Sequence, residues 1–249
     1  MVELSQIEKY FHRGLPGEVK ALDGVSLRIP AREFAVIIGF NGSGKTTLLN
    51  MIAGTLFPDS GKVLIRGHEV SRRKDYQRSK WISRVFQDPM AGTAPDLTIM
   101  DNFRLASLRT RSKSLRTGVE SRFRIKVRDQ LAILGMGLEN HPETLVGKLS
   151  GGQRQALTLL MAVMDEASIL LLDEPTAALD PRSSELIIRL AGDLIGKLGL
   201  TAVMVTHDLR HAAAYGTRLI MMEQGKISKD LDSGQKADCN LASLVQWFT

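Results

Sequence analysis

The amino-acid sequence predicts an α/β fold with a parallel sheet at its centre, a small antiparallel sheet before it and a helical insertion within it. Three short, continuously apolar runs, 34–38, 169–172 and 201–205, are typical of strands that are buried on both faces of a parallel sheet. Between the second and third runs, leucine and isoleucine recur at helical spacing. This alternation of strand, helix and strand is typical of the α/β class.

The two ends of the chain predict shorter strands. Val25, Leu27 and Ile29 alternate with polar residues, which is the period of an antiparallel strand with one wet face, so we expect a small β layer in the N-terminal part. From Arg218 onwards short strands return, and a terminal helix follows them.

The middle of the chain, from about residue 88 to 163, reads as helical and basic, without a clear strand pattern. No repeat period and no long glycine, serine or proline linker interrupts the sequence. We therefore expect a single domain over residues 1–249, in which 1–87 and 164–249 form the core with its β subdomain and 88–163 form a helical subdomain.

Length and composition exclude several classes of protein. The 249 residues are 43% hydrophobic and 24% charged, which is ordinary for a folded soluble chain and argues against disorder. No apolar run reaches the roughly 18 residues that a membrane-spanning helix needs, so we expect no membrane crossing. The N-terminus lacks the pattern of a secretory signal, and one cysteine, Cys239, permits no internal disulfide, which indicates the cytosol.

The net charge of +6 is concentrated in one segment. Between Arg104 and Arg128, nine lysines and arginines stand against one acidic residue, Glu120, which gives a local charge of +8. Two interpretations stay open: a solvated helical face, or a site beside an anionic membrane surface or an acidic partner. No series of aromatic residues interleaves with these charges, so we expect no nucleic-acid partner.

Residues 39–46 read Gly-Phe-Asn-Gly-Ser-Gly-Lys-Thr and match the P-loop pattern. A predicted strand precedes them, and helical apolar spacing follows up to Gly54, which is the context that a P-loop requires. The glycines let successive N–H groups turn towards phosphates, Lys45 adds a charge for the β and γ phosphates, and the Thr46 hydroxyl can bind Mg²⁺. The predicted ATP-binding residues of this loop are Gly39, Asn41, Gly42, Ser43, Gly44, Lys45, Thr46 and Thr47.

Two adjacent acids end the second apolar run. A buried strand that ends in a carboxylate delivers Asp173 to the carboxyl edge of the sheet, where a nucleotide binds with its Mg²⁺. We expect Asp173 to orient the water shell of the metal and Glu174 to polarise the attacking water. Paired acids at a strand end are often only a solvated turn, but their combination with a P-loop favours an active site.

Together with further motifs, these residues resemble the ATP-binding cassette (ABC) ATPases. The pentapeptide 149–153, Leu-Ser-Gly-Gly-Gln, is similar to the family's signature motif, Gln87 to its Q-loop, Asp180 to its D-loop and His207 to its switch histidine. Their order and spacing, along almost the whole chain, are those of the family. The resemblance implies a P-loop NTPase core with an N-terminal antiparallel β subdomain and an inserted α-helical subdomain.

The resemblance also implies a head-to-tail homodimer with two ATP molecules, each lying between the P-loop of one subunit and the signature motif of the other. The residues that would contact the ATP of the partner subunit are Ser150, Gly151, Gly152 and Gln153. A helix that starts there offers such an anion site. The implied catalytic residues are Glu174, Gln87 and His207, and the implied Mg²⁺ ligands are Thr46, Gln87 and, through water, Asp173.

Three local features refine the resemblance. Phe11 lies where the family places an aromatic ring against adenine, with Tyr10 as the neighbouring candidate and a core aromatic residue as the alternative. The segment 86–93 is similar to that of a bacterial importer group sometimes labelled for aromatic amino acids. In contrast to many transporter ATPases, the helix after the signature motif becomes apolar early, over 153–161.

The function implied by the resemblance is that of an ATP-hydrolysing subunit of a bacterial importer. Such a subunit works with separate permease subunits and an extracytoplasmic substrate-binding protein, and it lies peripherally on the cytoplasmic face of the inner membrane. The resemblance places residues 88–102 at the surface that docks the permease. The alternative, a soluble ABC ATPase acting on a nucleic-acid or cofactor-assembly complex, usually has tandem cassettes or an altered signature, and a P-loop GTPase or kinase lacks the signature motif.

Overall fold

The computed structural model describes residues 1–109, 120–165 and 167–248. The strands in these residues are β1 (Val2–Phe11), β2 (Val19–Ile29), β3 (Phe34–Gly39), β4 (Ser60–Ile65), β5 (His68–Glu69), β6 (Ile82–Val85), β7 (Ile169–Asp173), β8 (Thr201–Val205), β9 (Arg218–Glu223) and β10 (Lys226–Leu231). The α-helices are α1 (Lys45–Ala53), α2 (Asp75–Arg78), α3 (Ile99–Ser107), α4 (Ser121–Ala132), α5 (Gly151–Ala162), α6 (Pro181–Leu198), α7 (Leu209–Ala214), α8 (Ser233–Ala237) and α9 (Leu241–Val245). Within the described ranges, no helix has the length and apolar character needed to cross a membrane.

The centre of the molecule is a six-stranded sheet with the strand order β10-β9-β3-β8-β7-β6. Its strands are parallel except for β10, which pairs antiparallel with β9 at one edge. Every residue of β3, β7 and β8 is buried. This confirms the prediction that the three apolar runs form strands buried on both faces of a parallel sheet.

A four-stranded antiparallel sheet of order β2-β1-β4-β5 forms the predicted β layer. Val25, Leu27 and Ile29 of β2 are buried, as their alternation predicts. The long strand β1 carried no clear sequence signal, and its pairing explains why. Its register with β2 shifts between Leu4 and Tyr10, and such bulges interrupt the period of two on which strand prediction depends.

Two apolar layers cover the faces of the central sheet. On one face, α1 and the antiparallel sheet pack around Ile37 and Leu171. On the other face, α5, α6 and the rest of the described insertion pack around Val36 and Leu170. Successive residues of a strand therefore serve opposite layers, as the alternation of side chains along a strand requires.

The described part of the insertion consists of α3, α4, α5 and short 3₁₀ turns. Among its described residues the only strand-like pairing is a single bridge between Thr98 and Leu145, which agrees with the helical prediction. α5 contacts α6 and β6, so the insertion shares a core with the sheet. The subdomain boundaries at 87 and 163 stay a prediction.

Two helices that follow strands of the central sheet, α1 and α6, end at glycines in the left-handed conformation. α6 starts with Asp180 as its N-cap and Pro181 at its first position, and it ends at Gly199 in the left-handed conformation, φ 60°. α1 ends at Gly54, φ 89°, as the sequence predicts. At the C-terminus, two short helices, α8 and α9, take the place of the expected terminal helix.

Candidate nucleotide-binding site

The loop between β3 and α1 has a backbone that only glycine adopts easily. Gly39, Gly42 and Gly44 have φ values of 147°, 78° and 98°. A Cβ atom on Gly44 would lie 2.5 Å from the carbonyl oxygen of Ala21, and one on Gly39 would clash with that of Met222. No described side chain caps the start of α1. The first N–H groups of this helix therefore offer an anion site at the positive end of its dipole.

Lys45 lies inside this loop. Its Nζ donates hydrogen bonds to the carbonyl oxygens of Gly39 and Phe40, both at 2.8 Å. Burial lowers the pKa of Lys45, although the charge of Glu174 opposes the shift. The lysine is thus held at the loop by weak backbone acceptors, which phosphate oxygens can replace with stronger, charge-assisted hydrogen bonds.

The central strands bring Glu174 and His207 together. Glu174 follows β7 and His207 follows β8, and the neighbouring parallel strands end at the same edge of the sheet. The Nδ1 atom of His207 lies 3.0 Å from Oε2 of Glu174. Glu174 also has a left-handed backbone with φ 44°, an unfavourable conformation for a residue with a side chain. Such local strain is found at functional sites, where the surrounding structure enforces it.

Asp173, the last residue of β7, is buried and pairs with an arginine that the sequence motifs do not include. Nη2 of Arg84, on the adjacent strand β6, lies 2.5 Å from Oδ2 of Asp173. The structure thus brings the expected metal carboxylate to the carboxyl edge of the sheet, but with a cation beside it. In the sequence, the only signal for this contact was a basic residue three positions before Gln87, in a strand at the edge of the sheet.

The Q-loop residue Gln87 is exposed at the end of β6. A second glutamine, Gln155 of α5, fixes the backbone on either side of the site. Its fully buried Nε2 donates to the carbonyl oxygens of Phe86, at 3.1 Å, and of Pro175, at 2.9 Å. The residues before Gln87 and after Glu174 are therefore tied to the signature helix. Sequence reasoning missed Gln155, although a polar residue within an apolar helix was a visible signal.

The signature motif begins α5 with a capping box. Ser150 Oγ accepts a hydrogen bond from the N–H of Gln153 at 3.2 Å, and Gln153 Oε1 accepts one from the N–H of Ser150 at 3.0 Å. Gly152 permits close packing, since a Cβ atom there would lie 2.6 Å from Ser183 Oγ of α6. Among the hydrogen bonds of the described residues, none joins 150–153 to the P-loop.

Two further predicted residues have local roles that the structure defines. Asp180 caps α6, because its Oδ1 accepts from the N–H groups of Arg182, at 3.0 Å, and Ser183, at 3.1 Å. Hydrogen bonding from Ser183 lowers the pKa of Asp180. Phe11 is 36% exposed at the end of β1, which excludes the core alternative. The Lys9 ammonium lies 5.9 Å from the centre of the Phe11 ring, and Arg13 and Lys20 contact the Tyr10 ring.

Comparison with known proteins identifies the family. The family model of ABC transporters matches residues 22–177. A tyrosine transport ATP-binding protein of Clostridioides difficile is 34% identical over 248 residues, which are 100% of this chain and 98% of that protein. A methionine import ATP-binding protein of Halalkalibacterium halodurans is 34% identical over 92% of this chain and 66% of its own length.

Solved structures agree with this result. A dimer of the ATP-binding cassette MJ0796, in a post-hydrolysis state with ADP and Pi, has a TM-score of 0.80 and 30% identity over 94% of this chain and 99% of that chain. The cassette MJ1267 of an ABC transporter has a TM-score of 0.81 and 26% identity over 100% of this chain and 98% of that chain.

The fold and the phosphate loop define a P-loop NTPase. The chain belongs to the ABC transporter family, as an ATP-hydrolysing subunit. The relatives reported above are transport or import ATP-binding proteins, so the comparisons support the transporter function and not the soluble alternative. They also exclude a P-loop GTPase or kinase.

Proposed function

We propose that the residues at the carboxyl edge of the central sheet bind and hydrolyse ATP for a bacterial importer. The observation that carries this proposal is the contact of 3.0 Å between Glu174 and His207, which follow β7 and β8 at the same edge of the sheet where the P-loop follows β3. A carboxylate that an imidazole orients beside a phosphate site can accept a proton from an attacking water.

In the proposed mechanism, the first N–H groups of α1 and the ammonium of Lys45 bind the β and γ phosphates. Lys45 then exchanges the carbonyl oxygen of Gly39 for phosphate oxygens. Thr46 and Gln87 would hold Mg²⁺ directly, and Asp173 would do so through water, since all three supply the oxygen donors that this ion prefers. Bound there, the ion would neutralise charge that develops on the phosphates.

Hydrolysis would use Glu174 as the general base. Its carboxylate accepts a proton while a water attacks the γ phosphate, and His207 holds the carboxylate in place and contacts the same phosphate. Gln87 would also orient that water. Phe11, the exposed ring at the end of β1, would stack against adenine, with Asn41, Ser43 and Thr47 completing the nucleotide contacts.

The dimer would complete each site. We propose a head-to-tail homodimer in which Ser150, Gly151, Gly152 and Gln153 contact the ATP held by the P-loop of the partner subunit. The capped N-terminus of α5 supplies N–H groups and a dipole for this second anion contact. Dimeric structures of the related cassette MJ0796 support the oligomeric state.

A groove of about 450 Å³ beside the Q-loop is the proposed docking site of the permease. It lies between the end of β6 and the insertion, where Phe86, Gly92, Thr93 and Leu105 contribute to its walls. Leu105 is 53% exposed, so apolar surface is available to a partner helix. The groove overlaps the segment 88–102 that the family resemblance assigns to docking.

The proposed cargo is an aromatic amino acid, which a separate substrate-binding protein would deliver to the permease. The supporting observation is the full-length similarity to the tyrosine transport protein. In this arrangement the subunit lies peripherally on the cytoplasmic face of the membrane. The cargo itself would contact only the permease and the binding protein.

The test is to express the chain with a candidate permease and binding protein and to measure tyrosine uptake into proteoliposomes that contain ATP. We expect co-purification with the permease and uptake that Lys45→Ala abolishes, because this substitution removes a charge at the phosphates. ATP-dependent uptake of another solute in place of tyrosine would reject only the cargo. Failure to bind any permease, with intact ATPase activity, would contradict the importer function.

A further inference from the structure

Arg84 contacts the metal carboxylate from a neighbouring strand. In the parallel pairing of β6 with β7, Arg84 lies opposite Leu171, two residues before Asp173. Side chains two residues apart on a strand share a face of the sheet, so Arg84 and Asp173 point to the same side. Their ion pair, 2.5 Å between Nη2 and Oδ2, follows from this register.

The pair is buried but incompletely satisfied. The side chains of Arg84 and Asp173 are 12% and 10% exposed. The Nε atom of Arg84 is buried and has no hydrogen-bond partner among the described residues, while the guanidinium carbon lies 4.8 Å from the centre of the Phe86 ring. Buried charges cost free energy unless all their hydrogen bonds are made. Stability alone is therefore a weak reason for this arrangement.

A second ion pair, between Arg109 and Asp165, has a different geometry. Nε of Arg109 donates to Oδ2 of Asp165 at 2.9 Å, its Nη2 contacts the other carboxylate oxygen, and the same Nη2 donates to the carbonyl of Ala162 at 3.3 Å. Asp165 belongs to none of the nucleotide-binding motifs. This bidentate pair has the geometry of a structural contact, which the single contact of Arg84 lacks.

We propose that Arg84 is a positioning residue for the metal site. It holds one oxygen of Asp173 so that the other faces the water shell of the metal, and its positive charge lowers the affinity of the site for a divalent cation. The affinity is lowered because the guanidinium beside the carboxylate repels the metal ion. This inference rests on the proposed role of Asp173.

The experiment measures Mn²⁺ binding by electron paramagnetic resonance in the presence of a non-hydrolysable ATP analogue, and turnover with ATP and Mg²⁺. Arg84→Met keeps most of the side-chain volume but removes the charge. We expect it to tighten Mn²⁺ binding about threefold to tenfold, because a neighbouring charge shifts carboxylate equilibria by about that much or more. Turnover should fall about tenfold, because the carboxylate loses its fixed orientation.

Two further variants, Arg84→Lys and Arg109→Met, distinguish an effect on the metal site from an effect on folding. Arg84→Lys keeps the charge, so its Mn²⁺ affinity should stay close to that of the unsubstituted protein. Arg109→Met removes the comparable ion pair and should leave Mn²⁺ affinity unchanged. If Arg84→Met does not fold, as judged by thermal unfolding, Arg84→Gln is measured instead, because it also removes the charge.

Asp173→Asn tests the metal role of Asp173 separately from the positioning role of Arg84. It should weaken Mn²⁺ binding, and a lack of effect would reject the metal role of Asp173 itself. If Asp173→Asn weakens binding while the folded, charge-free variant of Arg84 binds Mn²⁺ with unchanged or lower affinity, the inference about Arg84 is overturned and the role of Asp173 stands.

Discussion

The P-loop region and the signature region differ in how their polar groups are satisfied. Around the P-loop, the polar groups of the site contact one another: Lys45 donates to the carbonyl oxygen of Gly39, and Glu174 contacts His207. At the signature motif, Ser150 and Gln153 satisfy only the exposed start of their own helix. The chain thus brings the proposed hydrolytic groups together by itself, whereas we propose that the signature motif contacts a phosphate bound to the partner subunit. A dimer is the simplest way to bring the two regions together.

Loss of the proposed general base, Glu174, should reduce activity most. Glu174→Gln keeps the shape of the side chain but removes the carboxylate that would accept a proton. We expect turnover to fall by about 100-fold or more, the range for loss of a positioned general base. ATP should still bind and trap a closed dimer, measured by size-exclusion chromatography with ATP and Mg²⁺. Lys45→Ala is the contrasting variant, because it should weaken nucleotide binding itself. Undiminished turnover of Glu174→Gln would reject its catalytic role.

A mixed dimer tests whether the two regions share one site. Ser150→Arg should block ATPase activity and ATP-dependent dimerisation, since the large side chain occupies the anion site, while nucleotide binding by the monomer stays nearly intact. A dimer of one Lys45→Ala chain and one Ser150→Arg chain places both lesions in the same composite site and leaves the other whole. It should therefore trap one nucleotide, measured with radiolabelled ATP, and the doubly substituted homodimer none. Equal trapping by the two would show that the sites are not shared.

Gln155 connects the two regions, and its removal is expected to have a smaller effect. Gln155→Leu fills a similar volume but deletes the hydrogen bonds to the carbonyls of Phe86 and Pro175. Turnover should fall about tenfold through misplacement of the residues beside them, with little change in nucleotide affinity. Thr158→Val on the same helix is the control, because it deletes a buried hydrogen bond that stays within α5. A loss of equal size in both variants would indicate general destabilisation, to be checked by urea unfolding.

The sequence predicts these regions unequally, for physical reasons. Motifs and strand patterns depend on local periodicity and spacing, so the P-loop, the ends of β7 and β8 and the start of α5 could all be predicted and lie where expected. Arg84 and Gln155 act through strand register and helix packing, which bring together residues 89 and 69 positions apart in the chain. The local sequence shows only a charged or polar residue within an apolar element and does not indicate its partner. The bulged strand β1 was missed because its period of two is interrupted.

The basic segment between Arg104 and Arg128 carries none of the nucleotide motifs. Arg111, Lys113 and Arg116 lie outside the described residues, and Arg109 is paired with Asp165. The described basic residues of the segment that are exposed lie on α4 and are Arg122, Arg124, Lys126 and Arg128, of which Arg124 pairs with Glu143 at 2.7 Å. Ile125 between them is 60% exposed, so this helix also presents apolar surface. A basic helix with an exposed isoleucine suits an anionic membrane surface beside a docked permease.

Changing these four α4 residues to Gln should therefore weaken association with the permease in anionic liposomes at least about fivefold at low salt, since each exposed charge contributes up to about 1 kcal/mol near such a surface and salt screens it. Basal ATPase of the isolated subunit should hardly change. The control replaces four exposed basic residues elsewhere, Lys62, Arg66, Arg72 and Lys197, with Gln. Binding is measured by co-sedimentation from about 50 to 300 mM salt, where Debye lengths fall from roughly 14 to 6 Å. A loss that does not depend on salt would indicate misfolding, and no loss, or an equal loss in the control, would leave α4 as a solvated helical face.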